Sequence, residues 1–141
     1  MIRQIDWSTY LSLVDKLAEK IQHQPVRRYE YIFGVPRGGL LPAVMLSHRL
    51  TLPLITHLDY NILATSNILV VDDIVDSGKT IRKFDTIFDT ASVFVKRSVH
   101  NKPLYYCTEG LIDDEWLVFP YEVKAYDSIS HVHPPTEHLQ Q

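Results

Sequence analysis

The sequence predicts an α/β fold, in which helices flank a mostly parallel, twisted sheet and a small C-terminal hood completes the domain. Apolar segments of strand length alternate with helical patterns along the chain. Residues 68–71 read Ile-Leu-Val-Val, the pattern of a strand that is buried on both faces of a parallel sheet. A strand, a glycine-containing turn and a helix also follow one another twice, around Arg37 and around Gly78.

The bulk properties indicate one domain over residues 1–141, with a core at about 6–100, the hood at about 101–125 and a polar tail at 126–141. A net charge of -3 argues against nonspecific nucleic-acid binding. No apolar run approaches the ~20 residues that cross a bilayer, so no membrane partner is expected. The chain has one cysteine, Cys107, and begins without a visible signal peptide. We therefore expect a reducing, cytoplasmic setting.

The first element is an amphipathic helix over residues 6 to about 21, which Asp6 or Ser8 is expected to cap. Its apolar face consists of Tyr10, Val14, Leu17, Ala18 and Ile21. A polar connection follows, and residues 29–35 then form the first predicted strand of the sheet.

That strand runs into Pro36-Arg37-Gly38-Gly39, ahead of a helix at 41–48. Two glycines allow the backbone to approach a ligand closely, and an arginine offers a planar fork for phosphate oxygens. The same residues taken alone fit a plain surface turn about equally well.

A strand at 52–58 and a short connection at 59–67 precede the central segment, 68–80. The strand at 68–71 is followed by Asp72 and Asp73, then by Asp-Ser-Gly-Lys-Thr at 76–80 and a helix to about 88. Backbone N–H groups at a helix start suit a phosphate. Because the two acids would repel that phosphate, they are expected to face sugar hydroxyls or a metal ion. The segment predicts a sugar-phosphate site.

Three other interpretations of this segment are weaker. A P-loop ATPase requires glycine where Asp73 stands, and too few residues follow Asp73 for a receiver domain. An ordinary buried strand and capped helix would not require three aspartates within five positions.

Downstream, a strand at 91–95 ends in Lys96, a short strand is expected at 104–107, and Trp116 opens an apolar segment that ends in Glu122. On chemistry alone, Lys96 would be a solvated charge and Trp116 a core residue. The tail holds His131, His133 and His138, which a loosely packed terminus explains better than a metal site.

The central segment resembles the signature of the type I phosphoribosyltransferases, the enzymes that use phosphoribosyl pyrophosphate (PRPP). That signature is an apolar strand, two acids, two variable residues, an acid, Thr or Ser, Gly, a variable residue and Thr. The resemblance implies that loop 37–39 holds pyrophosphate, that the acid pair holds the ribose 2′ and 3′ hydroxyls, and that 77–80 hold the 5′-phosphate. The PRPP-binding residues would be Arg37, Gly38, Gly39, Asp72, Asp73, Asp76, Ser77, Gly78, Lys79 and Thr80. Asp76 would be the catalytic general base.

The later segments are similar to those of bacterial xanthine-guanine phosphoribosyltransferases, so that the resemblance runs from about residue 6 to 122. It implies that Lys96 binds the 6-oxo group of a purine, that Trp116 stacks on the ring and that backbone near Leu117 reads its edge. Glu122 stands where the family has an aspartate, and with Asp73 it would hold Mg²⁺. The connection at 59–67, with Tyr60 near its start, is shorter than the family's flap.

The expected function is purine salvage, the transfer of phosphoribose from PRPP to xanthine, guanine or hypoxanthine. PRPP and a purine base would be the partners, and the resemblance implies a homo-oligomer, either a dimer or a tetramer. Two alternatives remain open, namely a non-catalytic PRPP-binding regulatory protein of the same fold and transfer to another acceptor such as a pyrimidine.

Overall fold

The computed structural model describes residues 2–24, 28–59, 67–111 and 115–122. Within these ranges the chain forms seven strands and three helices. In chain order they are β1 (Ile2–Gln4), α1 (Trp7–Gln22), β2 (Tyr31–Gly34), α2 (Leu40–Leu50), β3 (Leu54–Ile55), β4 (Ile68–Val75), α3 (Lys79–Arg82), β5 (Asp89–Lys96), β6 (Tyr105–Leu111) and β7 (Trp116–Val118).

The main sheet has five strands in the order β3-β2-β4-β5-β6, and every neighbouring pair is parallel. β4 lies at its centre, and its first four residues are all buried. The predicted α/β fold is therefore confirmed. Gly34 pairs with Val71 and Val75 with Val95, so β2, β4 and β5 end at the same edge of the sheet.

The hood is a second, two-stranded parallel sheet made from β1 and β7. Ile2 pairs with Trp116, and Arg3 forms an ion pair with Glu115 at 3.9 Å. The backbone N–H of Ile5 donates to Val118 O at 2.9 Å, which ties the hood to the start of α1. The hood thus combines the N-terminal strand with β7. The predicted hood range of 101–125 was too wide, because β6 lies within it and pairs with β5 as an edge strand of the main sheet.

Helix α1 covers the sheet with the predicted apolar face. Asp6 is its N-cap, and its carboxylate accepts a hydrogen bond from the N–H of Thr9 at 2.7 Å. All of the residues predicted for the inner face are buried, and Tyr10 is fully inaccessible. They pack in one core with β2, β4 and β5 side chains such as Ile32, Leu69 and Val93.

Several predicted boundaries were wrong; the strand predicted at 104–107, for example, is β6, which runs from Tyr105 to Leu111. β4 continues through the acid pair to Val75, because β5 supplies hydrogen-bonding partners as far as Val95. The helix predicted to end at about 88 is regular only over α3, because the backbone bonds beyond it mix three- and four-residue spacings. The strand predicted at 52–58 is reduced to β3, which pairs with β2 only at Ile32 and Phe33.

Two predictions lie outside the described residues. One is most of the shortened flap, including Tyr60, and the other is the polar tail with its three histidines. Among the described helices, none combines the length and apolar character of a membrane span.

Candidate active site

Three loops meet at the carboxyl edge of the main sheet. β2 leads into the loop at 36–39, β4 leads into the turn at 76–78, and β5 ends on Lys96. Parallel pairing brings all three to one edge, where open α/β sheets bind their ligands. The edge therefore collects most of the residues that the sequence predicts for the site.

The loop after β2 packs directly against the acid pair. The peptide bond between Pro36 and Arg37 is cis, and the side chain of Arg37 is exposed. A Cβ added at Gly38 would lie 2.1 Å from Oδ2 of Asp73, and one at Gly39 would lie 2.3 Å from a backbone oxygen of β4. A side chain at Gly39 would therefore meet strand backbone, and one at Gly38 would meet the carboxylate of Asp73.

The two acids differ in their surroundings. Asp73 is buried, with 2% of its surface exposed, whereas Asp72 is partly exposed. Oδ1 of Asp73 accepts from the N–H of Ile74 at 2.7 Å, and Oδ1 of Asp72 accepts from the N–H of Asp73 at 2.9 Å. Burial raises the pKa of both carboxyls, and the charge of Asp73 raises that of Asp72 further. Two charges held this close need hydroxyl or cationic partners.

The turn after β4 encloses a cavity of about 200 Å³. Its lining consists of Asp72, Ile74, Val75, Asp76, Ser77, Gly78, Lys79, Thr80, Ile81 and Lys83. Gly78 has φ +85°, a left-handed conformation that favours glycine. The hydroxyl of Ser77 accepts from the N–H of Lys79 at 3.4 Å. We call this cavity the phosphate cradle. All the residues predicted to bind the 5′-phosphate line it.

A second, much smaller cavity adjoins the cradle on the hood side. We call it the base pocket; it is lined by Ile74, Asp76, Lys96, Glu115, Trp116, Leu117 and Phe119. The structure thus brings together the three residues predicted to bind a purine. Nζ of Lys96 lies 2.8 Å from Oδ1 of Asp76. The pocket measures about 20 Å³, which is room for about one water molecule.

Glu122 lies in the turn after β7, close to the acid pair. Its Oε2 accepts from the N–H of Phe119 at 3.0 Å. Burial is the main cause that raises the pKa of Glu122, and the charge of Asp73 adds to it while the guanidinium of Arg37 opposes it. Asp73 and Arg37 therefore both lie close enough to Glu122 for their charges to change its pKa.

Curated relatives identify the family to which this site belongs. No family model matches the chain. The xanthine-guanine phosphoribosyltransferase of Cereibacter sphaeroides is 33% identical over 115 aligned positions, and the alignment covers 65% of this chain and 68% of the relative. The chain belongs to the type I phosphoribosyltransferase family. The enzyme of the same name from Vibrio atlanticus is 27% identical over 154 aligned positions and covers 92% of each chain.

Solved structures agree with this assignment. A purine phosphoribosyltransferase from Pyrococcus horikoshii superposes with a TM-score of 0.71 at 25% identity, covering 96% of this chain and 98% of that one. The xanthine-guanine-hypoxanthine phosphoribosyltransferase of Helicobacter pylori gives a TM-score of 0.71 at 23% identity, covering 93% and 100%, and shows the shared fold. Phosphoribosyltransferases are glycosyltransferases, so the chain belongs to this class of enzymes, in agreement with the phosphoribose transfer expected from the sequence.

Sequence reasoning missed several residues of this phosphoribosyltransferase site, among them Tyr121 and Glu115. The hydroxyl of Tyr121 donates to Oδ2 of Asp73 at 3.3 Å, and Glu115 lines the base pocket. The sequence shows position 121 only as an aromatic residue before Glu122. It gave no sign of the hydroxyl's partner, because that contact joins residues 48 positions apart.

Proposed function

We propose that the protein transfers phosphoribose from PRPP to a 6-oxopurine, namely xanthine, guanine or hypoxanthine, and releases pyrophosphate and the nucleoside monophosphate. One observation carries the proposal. The phosphate cradle and the base pocket share Ile74 and Asp76. A phosphoribosyl group anchored in the cradle and a base held in the pocket would therefore meet beside Asp76.

The charges at the sheet edge suit this reaction. When the bond to pyrophosphate breaks, positive charge develops on the ribose, as in glycoside cleavage. Asp72 and Asp73 would bind the ribose hydroxyls, and Arg37 would bind the departing pyrophosphate. The cradle would hold the 5′-phosphate, remote from the reacting carbon, so that its binding energy positions that carbon.

The base pocket favours a 6-oxopurine over adenine. The ammonium of Lys96 can only donate hydrogen bonds, so it suits an exocyclic oxygen and opposes an exocyclic amino group. Asp76 lies 2.8 Å from that ammonium, so it would face the imidazole nitrogen on the same edge of the base and would take or share the proton of that nitrogen. Trp116 and Leu117 would supply the apolar walls.

The donor set near Asp73 fits Mg²⁺. Within the described ranges, no three His, Cys, Asp or Glu side chains gather as a metal site. Mg²⁺ commonly binds one or two carboxylates together with substrate phosphates, however, and Asp73 and Glu122 lie close enough to influence each other. We propose that these two carboxylates hold it with PRPP. When bound, Mg²⁺ would neutralise charge on the pyrophosphate.

We also propose that the protein works in the cytoplasm as a homodimer or homotetramer, with PRPP and a purine as its partners and neither nucleic acid nor membrane among them. The net charge of -3 supports the absence of a nucleic-acid partner. Sedimentation equilibrium of the purified chain tests the oligomeric state, and a monomer would refute that part of the proposal.

The small base pocket favours one alternative, a regulatory protein that binds PRPP without catalysis. Calorimetric titration with PRPP and Mg²⁺, followed by turnover assays with each purine, separates the two. PRPP binding followed by turnover of a 6-oxopurine supports the enzyme. PRPP binding without turnover of any base supports the regulatory protein.

A further inference from the structure

The hood contacts the acid pair through one hydroxyl group. Tyr121, which follows β7, donates to Oδ2 of Asp73 at 3.3 Å. Asp73 belongs to β4 at the centre of the main sheet, so the bond connects the hood to the strand that carries the predicted ribose-binding acids. The side chain of Asp73, which accepts this bond, is buried.

Packing fixes the ring that carries this hydroxyl. Tyr121 stacks on Phe119 with ring centroids 5.5 Å apart and planes inclined by 2°. The edge of Tyr10 from α1 meets the same ring, with centroids 6.0 Å apart and planes inclined by 84°. Both ring contacts have favourable aromatic geometries, so the hydroxyl is held in place before any ligand arrives.

The carboxylate of Asp73 is consequently held at both oxygens. Oδ1 accepts from the N–H of Ile74 at 2.7 Å, and Oδ2 accepts from Tyr121. The same Oδ2 lies against Gly38, the loop residue that leaves room for it. A carboxylate fixed in this way loses little rotational freedom when a ligand binds, which lowers the cost of binding.

We propose that Tyr121 is a positioning residue that orients the Asp73 carboxylate for PRPP. It acts through Asp73 and does not touch the reacting atoms. This inference rests on the proposed function. The inference adds that a residue of the hood, which also carries the base-binding residues, contributes to the affinity for PRPP.

The test is the affinity of the Tyr121→Phe variant for PRPP in the presence of Mg²⁺, measured by isothermal titration calorimetry. The variant keeps the ring stack and loses only the hydroxyl. A hydrogen bond to a charged group stabilises more than a bond between two neutral groups. The distance of 3.3 Å is, however, long for an O–H···O hydrogen bond. We therefore expect the Kd for PRPP to rise about tenfold, which corresponds to about 1.4 kcal/mol.

Tyr10→Phe is the matched control. It removes a hydroxyl from the same ring cluster, and that hydroxyl is buried without a hydrogen-bond partner among the described residues. Its Kd for PRPP is expected to stay within about twofold of the wild type, given the usual effect of substitutions that break no contact. In both variants the KM for the purine should also stay within about twofold, because Trp116 and Leu117 are unchanged.

Each outcome has a separate meaning. If wild type binds PRPP and Tyr121→Phe binds it equally well, the positioning role is refuted while the proposed function stands. If Tyr121→Phe weakens PRPP binding and raises the purine KM to the same extent, the hood has been displaced and the positioning role is again refuted. If wild type binds no PRPP, the proposed function fails and the inference fails with it.

Discussion

Nζ of Lys96 lies 2.8 Å from Oδ1 of Asp76, so the residue proposed to select the base is paired with the residue proposed to take its proton. The lysine side chain is 9% exposed and the aspartate side chain 45% exposed. The pair thus has one buried member and one open to the phosphate cradle. A base that enters the pocket would replace this contact with its own exocyclic oxygen and ring nitrogen.

The first prediction concerns Lys96→Gln, which keeps hydrogen-bonding capacity but removes the charge. We expect the KM for the 6-oxopurine to rise about tenfold, since one charge-assisted hydrogen bond to the substrate is lost. The Kd for PRPP should change much less, because the groups that line the phosphate cradle remain in place. Steady-state kinetics and PRPP calorimetry on the same preparation measure both. A large loss of PRPP affinity with an unchanged purine KM would contradict the assignment of Lys96.

The second prediction concerns Asp76→Asn, which preserves the shape of the side chain and removes its basicity. General acid–base catalysis is commonly worth about 10²–10⁴-fold, so we expect kcat to fall by about 10²-fold or more. PRPP binding should be largely retained, because the other groups of the cradle remain. Equal turnover in wild type and variant would exclude Asp76 as the base.

The third prediction concerns Gly38→Ala. Its Cβ would lie 2.1 Å from Oδ2 of Asp73, so the acid or the loop must shift. We expect a loss of about 1–3 kcal/mol in the free energy of unfolding, as for other overpacking changes, together with weaker PRPP binding. Chemical denaturation measures the first effect.

The control for Gly38→Ala is a double-mutant cycle with Asp73→Ala, which removes the clashing carboxylate. Gly38→Ala should then cost much less stability than in the wild-type background. An equal cost in both backgrounds would show that the acid does not restrict the loop.

The fourth prediction concerns pH and the acid pair. Burial, reinforced by the charge of Asp73, raises the pKa of Asp72 well above its usual 3.8. The folded protein therefore keeps this proton over a pH range in which the unfolded chain has lost it. Wild type loses stability as pH rises through that range. Asp72→Asn keeps an oxygen for the N–H of Asp73 and removes the charge, so it should be more stable at neutral pH.

A gain of about 1 kcal/mol would raise the Tm of Asp72→Asn by about 3–5 °C in a domain of this size. The difference from wild type should shrink as the pH falls toward the usual aspartate value, where both side chains are uncharged. Thermal scans at several pH values measure this. A difference that grew on acidification would contradict the sign of the pKa shift. PRPP binding should weaken in the variant at every pH, since the acid is assigned to the ribose.

Much of the fold followed from the sequence because its signals are local. The apolar run at 68–71 predicted a buried central strand, and the helical spacing of Tyr10, Val14 and Leu17 predicted the inner face of α1. Parallel strands then bring their carboxyl ends to one edge, so the grouping of Arg37 with Asp73 required only strand order. These features depend on short-range patterns and one general rule of topology.

The remaining features depend on contacts between distant parts of the chain. β1 is short and exposed, so its sequence carries no strand signal, and it forms only because β7 pairs with it. The bond from Tyr121 to Asp73 depends on how the hood sits over the sheet. The length of β4 was underestimated because Asp72 and Asp73 disfavour a strand locally, while pairing with β5 carries the strand through them.

The most direct test of the central claim offers the purified protein PRPP, Mg²⁺ and an equimolar mixture of xanthine, guanine, hypoxanthine and adenine. Chromatography then identifies the nucleotides formed, and a parallel assay measures pyrophosphate. We predict that one or more 6-oxopurine nucleotides form, with one pyrophosphate released for each, and that adenine is left unchanged. Formation of the adenine nucleotide in preference to the others, or PRPP binding without any nucleotide product, would contradict the account.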